Sequence, residues 1–411
     1  MAKIHPFKAV RPSKETLQNF SSRSYKTYSK NELKDKLKKN PNSFLSIINI
    51  KKEASYAIEK SKRYELVRKK YDAFKASKVL NTDTLASFYI YETVQKNGHL
   101  FCGLMATASV EDYEADVIKK HEATISKREI TFKNYLKTVR FNAAPVLLTY
   151  PDDITLKSAI GKAKLNASDV NSWKTENEAH KLWCIDNPED IHFIQSAFHN
   201  IPSLYIADGH HRSASSALLA RELKAMQKDE TDVSYTRFLT YLIPESQLKI
   251  YDYNRVIKDL NGLNTTAFLE KIGVNFNIEN KGKSPYKSLQ TNDISMYLEG
   301  TFYSLSLREI NQHRAEAIDQ LDTYILQTYI LEPILGITNI RTNNRIGYIH
   351  GSDSLEQIKL AVDREDYQVG FGLFPIQTKT LFAIADSNAV MPPKSTYIYP
   401  KIRSGITIYE F

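Results

Sequence analysis

The chain has 411 residues, 42% of them apolar and 25% charged, which is ample apolar surface for folding and more chain than one ordinary core organises. Its formal charge of +9 is moderate for this length and, apart from Lys30 to Lys39 and Lys51 to Lys70, its lysines are spread thinly. Such runs on amphipathic helices read as solvated faces, which argues against nucleic acid and leaves a small anionic metabolite or nucleotide as the expected partner, with oligomeric state undetermined.

No apolar run approaches the roughly 20 residues that a membrane-crossing helix requires. The start Met1-Ala2-Lys3-Ile4-His5-Pro6 lacks the apolar stretch of a secretion signal, so a cytoplasmic protein is expected. Cys102 and Cys184 lie in separate apolar runs without metal-ligand spacing and are read as core residues.

Helical, lysine-rich sequence runs to about Lys78. Phe88 to Glu92 and Leu100 to Thr107 then flank Asn97-Gly98, a favoured hairpin turn. A long polar helix is expected from about Val110 to Lys137. Ala144 to Tyr150, Lys181 to Ile185 and Ser203 to Ala207 read as strands, followed by a strand at Phe238 to Ile243. Further on come a hairpin of Met296 to Leu298 with Phe302 to Leu307, a strongly periodic helix over Asp319 to Leu335, and strands at Ile346 to His350 and Val369 to Phe374. Two more helices are expected near Leu355 to Val362 and Thr378 to Ala385. The alternation implies a mixed α/β (α+β) chain with mixed sheets. Three regions are expected: an N-terminal segment 1–85 packing on the core, a central α/β domain 86–255, and a C-terminal α/β domain 256–411.

The most informative junction is Tyr205-Ile206-Ala207-Asp208-Gly209-His210-His211-Arg212, where an apolar strand turns on a glycine into an alanine-rich helix. The first turn of a helix carries unpaired N–H groups and about half a positive charge, so phosphate or carboxylate is favoured there. Asp208 can cap, Gly209 lets backbone approach, and Arg212 supplies a fork. The plainer alternative is a capped helix whose His and Arg pair with a nearby acid.

Several segments together resemble one family. These are His5-Pro6-Phe7-Lys8-Ala9-Val10-Arg11-Pro12, Asn40-Pro41-Asn42-Ser43-Phe44-Leu45, Ile118-Lys119-Lys120-His121-Glu122-Ala123-Thr124, the Tyr205 to Arg212 turn, Met391-Pro392-Pro393-Lys394-Ser395-Thr396 and Pro400-Lys401-Ile402-Arg403-Ser404-Gly405. Their order, from one end of the chain to the other, is similar to that of domain-of-unknown-function family 1015. Locally, Asp208-Gly209-His210-His211-Arg212 resembles the phosphate-binding turn of the ParB and sulfiredoxin-like fold, which includes free serine kinases. The reactive cysteine of sulfiredoxin is absent. Where the family carries Pro-Pro-Tyr-Asp-Val, this chain has Ser21-Ser22-Arg23-Ser24-Tyr25-Lys26-Thr27, so the acid after the tyrosine is replaced by Lys26.

From the residues and the resemblance together, Asp208, His211, Glu122 and His121 are the expected catalytic residues. Gly209, His210, His211, Arg212, Lys119 and Lys120 are expected to bind the phosphate or nucleotide. Lys394, Ser395, Thr396, Lys401 and Arg403 are expected at the substrate, with Glu122 and Asp208 as carboxylates for Mg2+. Arg341 and Arg345 are further candidates, with structural ion pairing as their alternative. The expected activity is phosphoryl transfer from ATP, ADP or pyrophosphate to a small hydroxyl metabolite such as free serine. The alternative is a nucleotide-binding switch that transfers nothing.

Overall fold

The computed structural model describes residues 1–50, 59–226, 233–309, 316–351 and 353–411, so part of the Lys51 to Lys70 run lies outside the described residues. The chain divides into two compact units: unit 1 comprises 1–120, 124–248 and 400–411, and unit 2 comprises 121–123 and 249–399. The first 85 residues belong to unit 1, and the chain passes into unit 2 after residue 248.

Unit 1 is built on a nine-stranded mixed sheet. Its strands run Ile118–Lys119, Leu204–Asp208, Val146–Tyr150, Arg237–Pro244, Leu100–Ser109, Phe88–Gln95, Glu178–Ile185 and Asp169–Lys174, with Ile4–His5 also pairing Leu100–Ser109. Val146–Tyr150 is buried along its whole length, which is why it reads as a near-continuous apolar run broken only by Thr149. The helices covering this core include Ile154–Leu165, capped by the Asp153 carboxylate on the Leu156 N–H at 2.7 Å, and Pro188–His199, capped by Asn187 with proline at its start. A small sheet joins Leu80–Thr82, Ala9–Pro12, Ile408–Glu410 and Phe141–Asn142 in that order.

Unit 2 is built on a six-stranded antiparallel sheet in the order Phe276–Gly282, Thr301–Leu307, Asp293–Leu298, Val369–Gly372, Tyr253–Ile257, Ile346–His350. One core contains Phe268, Phe276, Ile325, Leu335 and Phe371, and a smaller one contains Val256, Tyr297 and Ile358. Tyr397–Tyr399 pairs with Lys249–Tyr251 as a separate ribbon. Among the described residues no helix is long and apolar enough to cross a membrane.

The expected hairpins and most strands form. Two helices do not form as expected. The polar run from Val110 stops after Glu114, Asp116 takes a left-handed φ of 59°, and Ile118–Lys119 becomes a strand parallel to Leu204–Tyr205 before a new helix, Ser126–Val139. Lys119 through Glu122 therefore do not share a helix face, because pairing with a buried strand outweighs local helix preference. The Asp319 to Leu335 periodicity resolves into Ala317–Gln320 in a 3-10 turn, Asp322–Leu326 in an α-helix and Gln327–Leu331 in a π-turn. The Leu335 N–H reaches back five residues to Ile330 at 3.0 Å, which widens the last turns.

Candidate functional site: the strand-turn-helix junction

The junction begins with a bulge. Tyr205 faces Thr149 and Ile206 faces Leu148, but Asp208 faces Leu147, so Ala207 is the extra residue. A bulge re-aims the side chain that follows it. Asp208 thus leaves the strand with its carboxylate 43% exposed. Gly209 follows at φ +116°, a conformation closed to side-chain-bearing residues, and the helix His210–Met226 starts at once. Its first bonds run from the Arg212 N–H at 2.7 Å and the Ser213 N–H at 3.1 Å to the Gly209 carbonyl, so the positive end of a 17-residue helix lies at His210 and His211.

The side chains around this turn are held in unit 1. The Arg212 guanidinium donates through Nη1 to the Pro145 carbonyl at 2.7 Å, and its Nη2 lies 3.5 Å from Asp208 Oδ2. Lys401 Nζ sits 3.4 Å from the same oxygen. Burial would lift the Asp208 pKa, but the Lys401 ammonium and then the Arg212 guanidinium, with hydrogen bonds from Lys401 and the Gly209 N–H, hold it below the usual carboxylate range. Two cations and a helix N-terminus therefore surround one ionised acid. The balance is net positive and partly exposed, an arrangement suited to an oxyanion.

The remaining expected residues separate. Lys119 and Lys120 lie close to the junction in sequence pairing, beside Leu204–Tyr205, but their ammonium groups engage Asp116 at 3.1 and 3.4 Å. His121 and Glu122 belong to unit 2; His121 is buried, which pulls its pKa down to about 4, and Glu122 is exposed. Lys394, Ser395 and Thr396 are also in unit 2, where the Ser395 hydroxyl lies 3.0 Å from that of Thr323 and donates to the Pro392 carbonyl at 2.7 Å. Arg403, in unit 1, donates to the Ser21 hydroxyl at 3.0 Å and the Ser21 carbonyl at 2.7 Å, tying the tail to the segment where the sequence departs from the family pattern. Arg345 makes a two-pronged bond to Asp259 at 2.8 and 2.5 Å, a structural pair.

Magnesium fits Asp208 poorly. Its Oδ2 already faces both Lys401 and Arg212, and a divalent cation would have to displace or repel them. Among the described residues no group of three or more His, Cys, Asp or Glu is placed to hold a metal ion. The Lys401 contact with Asp208 is the main feature that sequence reading missed. Lys401 is expected there at a substrate, and only the fold brings a residue 193 positions away to the turn.

A model of the family described as protein of unknown function (DUF1015) matches residues 4–324. No curated protein matches the sequence significantly. Among solved structures, the chain is similar to a free serine kinase in complex with AMP, at 11% identity and a TM-score of 0.36, over 74% of this chain and 92% of that one. A conserved hypothetical protein from Pyrococcus furiosus is similar at 12% identity and a TM-score of 0.34, over 72% of this chain and 90% of that one. SbnI from Staphylococcus aureus, truncated at its C-terminus, is similar at 12% identity and a TM-score of 0.36, over 72% and 82%.

Proposed function

The chain belongs to domain-of-unknown-function family 1015, and from that premise we propose that it is a phosphotransferase acting on a small hydroxyl compound, with the Asp208–Arg212 turn receiving the donor phosphate. One observation carries this reading: Gly209 at φ +116° opens the helix N-terminus while Arg212 and Lys401 converge on it through Asp208. Phosphoryl transfer needs positioning and charge neutralisation more than covalent catalysis, and those are what such a turn can supply. The positive end of the helix would hold the phosphate, and Arg212 with His211 would neutralise charge on the transferred group.

A carboxylate held ionised by two cations is a weak proton acceptor, so Asp208 would orient Arg212 and Lys401 rather than take the hydroxyl proton. The likeness of the turn to Asp-Gly-X-His-Arg sequences makes free serine the first acceptor to test, with ATP, ADP or pyrophosphate as donor.

Incubating the purified chain with serine and each donor in magnesium-containing buffer should yield phosphoserine, detected by phosphorus NMR, and Arg212→Gln should abolish it. Absence of transfer to serine and to a panel of small alcohols would refute the enzyme. The pairing of Asp208 with both Arg212 and Lys401, which occupies the acid at the turn, suits one second reading, a nucleotide-binding switch of ParB-like type. It would give nucleotide binding that depends on Arg212 and no turnover.

A further inference from the structure

Unit 2 contains an arginine in an unusual electrostatic position. Arg255 lies on Tyr253–Ile257, an interior strand between Val369–Gly372 and Ile346–His350, and is only 1% exposed. It faces Phe371 on one neighbour and Tyr348 on the other. A guanidinium keeps its charge at neutral pH, and burying a charge demands a compensating one.

Among the described residues no carboxylate forms an ion pair with Arg255. Its partners are neutral. Nη1 donates to the Tyr253 carbonyl, Nη2 donates to the Lys394 carbonyl at 3.0 Å, and among the described residues Nε has no hydrogen-bond partner. The rings of Tyr253 and Tyr348 lie 5.8 and 5.2 Å from the guanidinium carbon, contributing only the weak field of aromatic faces. Burial accordingly pulls the Arg255 pKa down to about 10, with the two tyrosines opposing that fall.

The pattern of filled and unfilled donors is specific. Nε and Nη2 form the side-on edge with which arginine grips two oxygens of one carboxylate or phosphate. One donor of that edge is unpartnered and the other is covered only by the carbonyl of Lys394, a residue in left-handed backbone at φ 63° in the Pro392–Thr396 loop. The Lys394 side chain is exposed, and its ammonium lies 5.4 Å from the same Tyr253 ring that Arg255 faces from 5.8 Å. Two cations thus meet around one tyrosine with a loop carbonyl standing where an anion would bind.

We propose that Arg255 and Lys394 form an oxyanion site in unit 2, taking the carboxylate or phosphate of a small molecule on the Nε–Nη2 edge as the Lys394 carbonyl moves aside. Lys394 supplies the second charge from the loop. The site lies wholly within unit 2 and is independent of whether the Asp208–Arg212 turn transfers a phosphoryl group.

The test is protection of Lys394 in the full chain. Acylation by acetic anhydride is followed peptide by peptide by mass spectrometry, with orthophosphate or acetate added at constant ionic strength. Either anion should slow labelling of Lys394 severalfold in the parent chain and equally in Arg212→Gln, and the more effective one identifies the oxyanion. Arg255→Lys, which keeps the charge and loses the planar edge, should weaken the protecting anion by about 30-fold or more, in line with truncation of a buried hydrogen-bonded charge. Arg255→Met should remove protection altogether. No protection by either anion in the parent chain, or equal protection in Arg255→Lys, would overturn the site, and loss of protection in Arg212→Gln alone would assign the anion to the other unit.

Discussion

Replacing Gly209 with alanine is the sharpest perturbation of the junction, because two separable penalties meet at one atom. A residue with a Cβ held at φ +116° costs about 1–3 kcal/mol in backbone strain. The added Cβ would also lie 2.8 Å from Arg212 Nε and 2.9 Å from its Nη2, so the guanidinium must move. Moving it gives up the 2.7 Å bond to the Pro145 carbonyl, worth about 1 kcal/mol. The 3.5 Å contact with the 43% exposed Asp208 adds little in solvent. The expected loss is therefore about 2–4 kcal/mol.

Both tryptophans, Trp173 and Trp183, lie in unit 1, so urea unfolding followed by tryptophan fluorescence reads that unit alone. Gly98→Ala is the control: its φ is +82° and nothing lies within 4 Å of the added atom, so only the backbone part, about 1–2 kcal/mol, should appear. In an Arg212→Ala background, Gly209→Ala should cost only its strain. Strict additivity of the two substitutions would refute the claim that the glycine makes room for the guanidinium.

Other outcomes follow from the same geometry. Arg212→Lys keeps a charge but loses the fork to Pro145 and Asp208, so nucleotide affinity measured by calorimetry should fall by about 10-fold or more; unchanged affinity would remove Arg212 from the site. Lys401→Ala removes the leading attraction that lowers the Asp208 pKa, so the carboxylate should titrate at higher pH by carbon NMR, and no movement would show that Arg212 alone sets it. Asp208→Asn removes the acid that competes for both cations and should tighten orthophosphate binding; weaker binding would show the acid contacts the ligand productively.

His180 provides the pH test. Its side chain is wholly buried, with Nδ1 2.8 Å from the Tyr91 hydroxyl and Nε2 3.1 Å from that of Thr175. Burial, aided by Arg403, pulls its pKa from 6.5 to about 3. A lowered base contributes stability that is present above the unfolded value and lost as pH falls, so unit 1 should weaken from about pH 6.5 down to about 3. The full shift corresponds to about 4–5 kcal/mol as an upper limit. His180→Gln should flatten that slope in tryptophan-detected unfolding, and an unchanged slope would assign it to other groups.

Much of the architecture was legible because its signals are local. Val146–Tyr150 and Leu204–Asp208 are apolar runs interrupted only by Thr149 and ended by Asp208, and the Asn97-Gly98 turn between Phe88–Gln95 and Leu100–Ser109 depends on two residues. The misreadings came where tertiary pairing outweighs local preference. Ile118–Lys119 sits in helix-compatible sequence, yet a neighbouring buried strand claims it. At the site, the glycine and arginine were legible from the turn itself, whereas the bulge at Ala207 and the approach of Lys401 to Asp208 depend on contacts remote in sequence. Around Asn254-Arg255 the sequence reads as a polar stretch, and that Arg255 lies buried on a strand with no carboxylate partner among the described residues could be seen only once its neighbours were placed.

The small sheet in which Ile408–Glu410 lies between Ala9–Pro12 and Phe141–Asn142 has a consequence for how the molecule is made. On the ribosome, that strand position stays vacant until residues 408–410 have been made, whereas the stretch 249–399 is made before them as one uninterrupted block. Unit 1 therefore depends on residues made on both sides of that block, and Ala9–Pro12 must wait for Ile408–Glu410. A chain stopped near residue 400 would hold the whole stretch 249–399 but lack Ile408–Glu410, and with it Lys401, the companion of Asp208.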